Sequence, residues 1–297
     1  MSATPPTIRH ESLEANGVRL HLALAGDPDD PLILFLHGFP EFWYAWRRQL
    51  HEFGVDHLAA APDQRGYARS SKPEEIEEYR IERLAGDALA IADRFGKERF
   101  VVVGHDWGGI VAWSLGAFVP ERVERLVIVN APHPAIFRRE LAENPDQRKA
   151  SEYMTVFQYA EAEEALSADG FAALEGSILE EGIEAGWFTE EDREAYLEAW
   201  SRPGALSGML AWYRAAGIHP GAPPESLDEG EARDWTVPVP TLVIWGEQDR
   251  YLLPGNLVGL EELVPDLEIR RVPDTGHWIV HQKPDLVNEA IRGFLEH

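Results

Sequence analysis

The chain has 297 residues, 44% of them hydrophobic, enough to bury a full core in one large domain that carries an insertion. With 52 Asp plus Glu against 27 Lys plus Arg, the net charge of −25 argues against nucleic acid and anionic membrane as partners. The absence of Cys excludes disulfides, a thiol nucleophile and thiolate metal sites; with no secretory signal or membrane-length apolar run visible, a cytoplasmic protein is expected.

Residues 8–25 read as a hairpin of edge strands, with Asn16 and Gly17 supplying the turn that tolerates positive φ. LILFL at 32–36 is a buried strand that runs into HGFPEFWYAW, where Gly38 and Pro40 break the chain before an amphipathic helix over 42–53. Residues 57–61 form another small strand, closed by Pro62 and Asp63. The loop DQRGYARSSKP contains no phosphate-cradling motif, and its Arg65 reads as a structural pin. A helix follows over 79–95, with Leu84, Ala88, Ile91, Ala92 and Phe95 on one face. Residues 100–103 are short, β-branched and bounded by Gly104, as expected of a strand buried on both faces, and a helix over 107–119 and the strand RLVIVN come next. Strands alternating with helices at this spacing predict a mostly parallel sheet of eight strands flanked by helices.

The alternation stops after residue 130. From 131 to 235 only amphipathic helical stretches are seen, such as 161–166, 171–179, 190–200 and 206–216, joined by Pro- and Gly-rich linkers including NAPHP and IHPGAPPES. The sheet resumes with TLVIWG and LEIRRV and closes with a helix over 285–295. The expected organisation is a core of residues 1–130 and 236–297 with a helical cap, 131–235, inserted after a sheet strand.

The chemistry centres on FVVVGHDWGG, in which a strand turns sharply into a helix with Gly104, Asp106 and Gly108 in the Gly-x-nucleophile-x-Gly pattern. Asp stands where a serine hydrolase carries Ser, so a covalent intermediate would be an ester of the enzyme's own carboxylate. Hydrolysing that ester needs a base, and the base needs an orienting acid. Open parallel sheets place such groups beyond the C-terminal ends of strands. TLVIWG is followed by EQDRYL, offering Asp249 with Glu247 as its competitor, and LEIRRV by PDTGHW, offering His277 with His281 as its competitor. His37 and His105 lie close by, in turns where histidine more often bonds backbone than reacts. The eleven histidines do not cluster with carboxylates at ligand spacing, so neither a metal site nor a cofactor is expected.

The stretches HGFPEFWYAW, DQRGYARSSKP, GHDWGG, NAPHP, GALSGMLAWYRA, WGEQDRYL and GHW, in this order from residue 37 to 278, resemble the α/β-hydrolase superfamily and, in detail, its epoxide hydrolase branch. The resemblance implies an α/β-hydrolase fold in which Asp106 opens an epoxide and His277 with Asp249 activates water. It implies an oxyanion hole from the amides of Phe39 and Trp107, with His37 and Pro40 shaping the turn, and a pocket that His37, Pro40, Trp107, Trp212 and Trp278 help to line. Epoxide hydrolases also supply two cap tyrosines as acids; here YMTVFQ offers Tyr153, with Tyr159 as its competitor, and AWYR offers Tyr213, with Ala211 where the family more often has Asn. The implied partners are a small hydrophobic epoxide and water, and a monomer or homodimer is the base-rate assembly. Two other readings stay open. A haloalkane or haloacetate dehalogenase would share the Asp nucleophile, although those families carry Asn or Glu at the position of Phe39, or Arg at that of Trp107. A non-catalytic ligand-binding member of the fold would have no need for an intact Asp106, Asp249 and His277 set.

Overall fold

The computed structural model describes residues 6–222 and 234–296. Eight strands form one sheet in the order β1-β2-β4-β3-β5-β6-β7-β8. β1 (Arg9–Ala15) and β2 (Val18–Ala25) are the hairpin, turning at Asn16 and Gly17 with φ of 51° and 79°. Both central turn residues therefore sit in the left-handed region that such a two-residue turn demands. Only β1 is an edge. β2 also pairs antiparallel with β4 (Leu58–Asp63) and is buried along nearly its whole length, which corrects the expectation that both hairpin strands lie at the rim.

The strands β3 (Leu32–Leu36), β4, β5 (Phe100–His105), β6 (Val123–Val129), β7 (Thr241–Gly246) and β8 (Leu267–Val272) run parallel. β4 extends through Pro62, past the stop that this proline predicts. Its pairing with β3 has ended by Ala60, so the missing N–H of Pro62 deprives no parallel neighbour. The continuous apolar runs of β3, β5 and β7 follow from burial on both faces by helices. Among those helices, α1 (Arg47–Phe53) is preceded by a 3₁₀ turn, Trp43–Trp46, that replaces the first half of the expected helix over 42–53. α2 (Ile81–Arg94), α3 (Trp107–Phe118) and the C-terminal helix Pro284–Leu295 lie close to their expected bounds.

Among the described residues between β6 and β7, every regular element is helical: α4 (Pro134–Glu143), α5 (Pro145–Ala150), α6 (Glu152–Val156), α7 (Ala162–Leu174), α8 (Glu180–Ala185), α9 (Glu190–Trp200) and α10 (Ala205–Ala216). α7 breaks internally at residues 168–171 and passes into a π-helical turn, Glu175–Leu179. The two stems of the insertion meet where His133 Nε2 donates to the carbonyl of Trp235 at 3.1 Å. The linker IHPGAPPES reaches beyond Ala222, outside the described residues. Among the described residues no helix is long and apolar enough to cross a membrane.

The winding of the sheet reverses between β3 and β5, so the loops after these neighbouring strands diverge and leave a crevice at their C-terminal ends. The insertion leaves the sheet from the next strand, β6.

Candidate active site

Asp106 sits between β5 and α3 with φ 50° and ψ −122°, a conformation that costs a non-glycine residue about 1–3 kcal/mol. Close packing holds it there. A Cβ on Gly104 would strike the carbonyl of Gly108, and one on Gly108 would strike the carbonyl of Leu36, so α3 reaches β5 and β3 only because both positions are glycine. The N-terminus of α3 directs its partial positive charge toward the Asp106 carboxylate. From the loop after β3, the Phe39 amide donates to Asp106 Oδ1 at 2.8 Å. Trp107 is the first residue of α3, so its N–H has no partner within the helix.

Asp249, beyond β7, and His277, beyond β8, are 3% and 5% exposed. His277 Nδ1 lies 2.7 Å from Asp249 Oδ2 and, facing a carboxylate, must donate, which leaves Nε2 directed at Asp106, 3.8 Å from its Oδ2. That second distance is too long for a hydrogen bond. Asp249 is saturated: Oδ2 also accepts from Asn130 Nδ2 at 2.7 Å, and Oδ1 from the amides of Tyr251 and Leu252 at 2.8 and 2.9 Å. Burial alone would raise the Asp249 carboxyl, but the His277 charge and hydrogen bond, with the hydrogen bonds of Leu252 and Asn130, hold it below the usual range. Burial alone would lower His277, and the charge and hydrogen bond of Asp249, with the charges of Asp106 and Glu41, hold it above 6.5 instead.

Tyr153 comes from α6 and Tyr213 from α10, their ring centroids 6.1 Å apart. Both tyrosines line, with Asp106, two adjoining cavities. The larger has an open volume of about 220 Å³ and a wall that includes Phe39, Pro40, Phe157, Tyr251, His277 and Trp278. The smaller, of about 60 Å³, is walled by Trp107, Phe137, Met154, Ile218 and Leu252 among others. Burial, together with the nearby Asp106 charge, pushes both phenols well above their ordinary pKa, so both stay protonated and able to donate.

The expected wall residues Pro40, Trp107 and Trp278 face these cavities; His37 and Trp212 do not. His37 is fully buried, its Nε2 accepting from the Gln64 amide at 3.1 Å and its Nδ1 3.0 Å from the carbonyl of Gly38, so it braces the turn and lines neither of the two cavities. Trp212 lies behind Trp107 and donates from Nε1 to the carbonyl of Arg65 at 2.9 Å. Arg65 is a pin, as its loop suggested, bonded to Asp87 through Nε and Nη2, both at 2.8 Å. The competitors lie elsewhere: Tyr159 is 59% exposed, Glu247 pairs with Arg271, and His281 donates to Glu41.

Sequence reasoning missed Asn130 and Glu41. Asn130, in the left-handed region at φ 39°, fixes Asp249 while its Oδ1 accepts from the Gly246 amide at 2.8 Å. A strand ending in Asn is the one local signal of such a turn. Glu41 is a buried carboxylate that accepts from His281 Nε2 at 2.6 Å, Tyr196 Oη at 2.9 Å and His105 Nδ1 at 3.1 Å. Burial alone would raise it; the His281 charge, with the hydrogen bonds of His105 and His281, holds it well below the usual range. His105 Nε2 lies 2.9 Å from the carbonyl of His277, so Glu41 is tied through His105 to the backbone of His277. Among the described residues no group of His, Cys, Asp or Glu could hold a metal ion.

Residues 31–284 match the alpha/beta hydrolase fold family. The chain is 39% identical to the AB hydrolase superfamily protein YfhM of Bacillus subtilis, over 97% of this chain and 98% of that one. It is 34% identical to human epoxide hydrolase 4, over 96% of this chain and 77% of that one. A crystal structure of Bacillus megaterium epoxide hydrolase in complex with an inhibitor superposes with a TM-score of 0.91 at 36% identity, covering 97% of this chain and 100% of the other.

Proposed function

We infer the function from one premise: the chain belongs to the α/β-hydrolase superfamily, in its epoxide hydrolase branch. It is an epoxide hydrolase. The observation that carries this reading onto the chain's own residues is the pair of buried phenols, Tyr153 and Tyr213, lining both cavities together with Asp106. Asp106 Oδ1 is engaged by the Phe39 amide, so Oδ2 is the oxygen that attacks a ring carbon. As the new C–O bond forms, the ring C–O bond breaks and its electron pair takes a proton from a phenol, which keeps the leaving oxygen neutral.

In the second step His277 Nε2 takes a proton from water, whose oxygen adds to Cγ of Asp106. The negative charge collects on Oδ1, between the amides of Phe39 and Trp107. Collapse breaks the Cγ–Oδ2 bond, the imidazolium returns its proton to the departing oxygen, and a vicinal diol leaves; the acid proton left on the Asp106 carboxyl passes to the phenolate, restoring both carboxylate and phenol. Asp249, fixed by Asn130, holds the tautomer that leaves Nε2 free.

Residues 131–235 act as the cap, delivering both phenols from one side while the sheet delivers nucleophile and base from the other. A cytoplasmic monomer or homodimer goes with this reading, and cell fractionation with light scattering tests it. A halide leaves without a proton, so a dehalogenase has no use for two buried phenols, and neither it nor a ligand-binding role is favoured.

The test is the His277→Gln protein exposed separately to a small aryl epoxide, a matched haloalkane and a haloacetate, with intact mass recorded. A mass gain equal to the whole epoxide, mapped to Asp106 and absent with the halides, is expected. A gain equal to an alkyl or carboxymethyl fragment, and none with the epoxide, would overturn the reading.

A further inference from the structure

The turn that presents the Phe39 amide is held from two sides. From the sheet side, the Glu41 carboxylate takes the hydrogen bonds of His105 and His281. From the insertion, α9 supplies two more contacts. Trp200 Nε1 donates to the carbonyl of Pro40 at 2.7 Å, and the Tyr196 hydroxyl donates to Glu41 Oε1 at 2.9 Å. Four residues apart, the two side chains share one face of the helix, and they are only 2% and 0% exposed. Pro40 and Glu41 directly follow Phe39, and the Glu41 amide closes the turn onto the carbonyl of Gly38 at 2.9 Å. Neither Trp200 nor Tyr196 lines the cavities that contain Asp106.

We infer that Trp200 and Tyr196 are positioning residues for the ester-hydrolysis step: from the insertion they hold the 38–41 turn so that the Phe39 amide stays aimed at Asp106 Oδ1. This rests on Asp106 being the nucleophile. The selectivity for one step follows from where charge resides. Before ring opening Oδ1 shares the carboxylate charge, and after it Oδ1 is a neutral ester carbonyl, so the Phe39 amide loses strength during alkylation. When hydroxide adds to Cγ, a full negative charge collects on Oδ1 and the same amide gains strength. Only an interaction that strengthens toward the transition state accelerates a step. Loosening the turn therefore slows hydrolysis and leaves alkylation unslowed. Helix α9 thus contributes to the oxyanion hole without touching substrate.

The experiment is rapid-quench mass spectrometry of the full-length protein with styrene oxide, measuring alkylation of Asp106 and decay of the ester separately. Tyr196→Phe and Trp200→Phe each keep a ring and remove a donor. Displacing a hole donor costs less than the 10²–10³ of deleting one, so hydrolysis is expected to slow about tenfold, with ester accumulating and alkylation within twofold of wild type. Trp200→Gln keeps an N–H and discards the ring; hydrolysis should recover relative to Trp200→Phe if the donor matters. Equal slowing of both steps, or an unchanged partition in Tyr196→Phe, which alters one hydroxyl and carries the test alone if the Trp200 variants do not fold, would overturn the inference. Failure of any ester to form in wild type or His277→Gln would instead overturn the reading of Asp106.

Discussion

Replacing Asp249 by Asn changes one atom, and the surrounding hydrogen bonds dictate which way the new amide points. Oδ1 is committed to the amides of Tyr251 and Leu252, so the Asn oxygen stays there and its NH₂ takes the place of Oδ2. That NH₂ faces His277 Nδ1 and Asn130 Nδ2. Asn130 cannot turn to accept it, because its own Oδ1 holds the Gly246 amide. The NH₂ then donates to Nδ1, and the imidazole proton is driven to Nε2, the atom that has to accept a proton from water. Losing the general base is expected to slow ester hydrolysis by roughly 10²–10⁴, which is about 3–5 kcal/mol of activation free energy. Ester formation uses none of these groups and should stay within about threefold, so alkylated Asp106 accumulates. The two facing NH₂ groups leave buried donors unpaired and should lower stability by about 1–3 kcal/mol. Rapid-quench mass spectrometry reads both rates, and chemical denaturation reads the stability. In the wild type, hydrolysis should lose rate as pH falls through the raised His277 pKa, above 6.5. Turnover of Asp249→Asn near the wild-type rate, without accumulated ester, would refute Asp249 as the orienting acid.

Tyr213→Phe and Tyr153→Phe should each slow ester formation by about 10²-fold by removing one proton donor, leaving decay of preformed ester unchanged; slowed decay with normal formation would contradict the division of labour. A separate expectation concerns stability. Burial pushes His133 down to about 4 from 6.5, despite its hydrogen bond to the Trp235 carbonyl. Between those values the unfolded chain binds the proton and the folded one does not. Its contribution is therefore complete above pH 6.5 and is lost as pH falls through 4, a change of about 3 kcal/mol. Urea denaturation from pH 7 to pH 4 of wild type and His133→Gln checks this; equal pH dependence of the two would refute it.

Asp106 was legible in the sequence because the elbow is local: a β-branched run, two glycines that permit close packing and one residue held between strand and helix. Asp249 and His277 were legible because each follows a recognisable parallel strand closely, and the fold gathers strand ends. Asn130 was not. It ends RLVIVN, and Asp249 lies three residues beyond TLVIWG, but the partners of Asn130 lie over 110 residues away and nothing near it marks an amide that will meet a carboxylate. Glu41, Tyr196 and Trp200 were hidden for the same reason, since their contacts join the loop after β3 to a helix about 155 residues further on. The resemblance implies His37 and Trp212 at the pocket, yet both point the other way, where their polar nitrogens find partners. The hairpin misled in a different manner: alternation in β1 and a tight turn say nothing about whether β2 gains a neighbour on its far side.

The most direct measurement is a single turnover in H₂¹⁸O with enzyme in excess over epoxide. If Asp106 forms the ester, the first diol carries only light oxygen, one atom from the epoxide and one from Asp106 Oδ2, and ¹⁸O appears in the peptide containing Asp106. A first-turnover diol that contains ¹⁸O, with an unlabelled Asp106 peptide, would mean that water attacks the epoxide directly and that Asp106 is not the nucleophile.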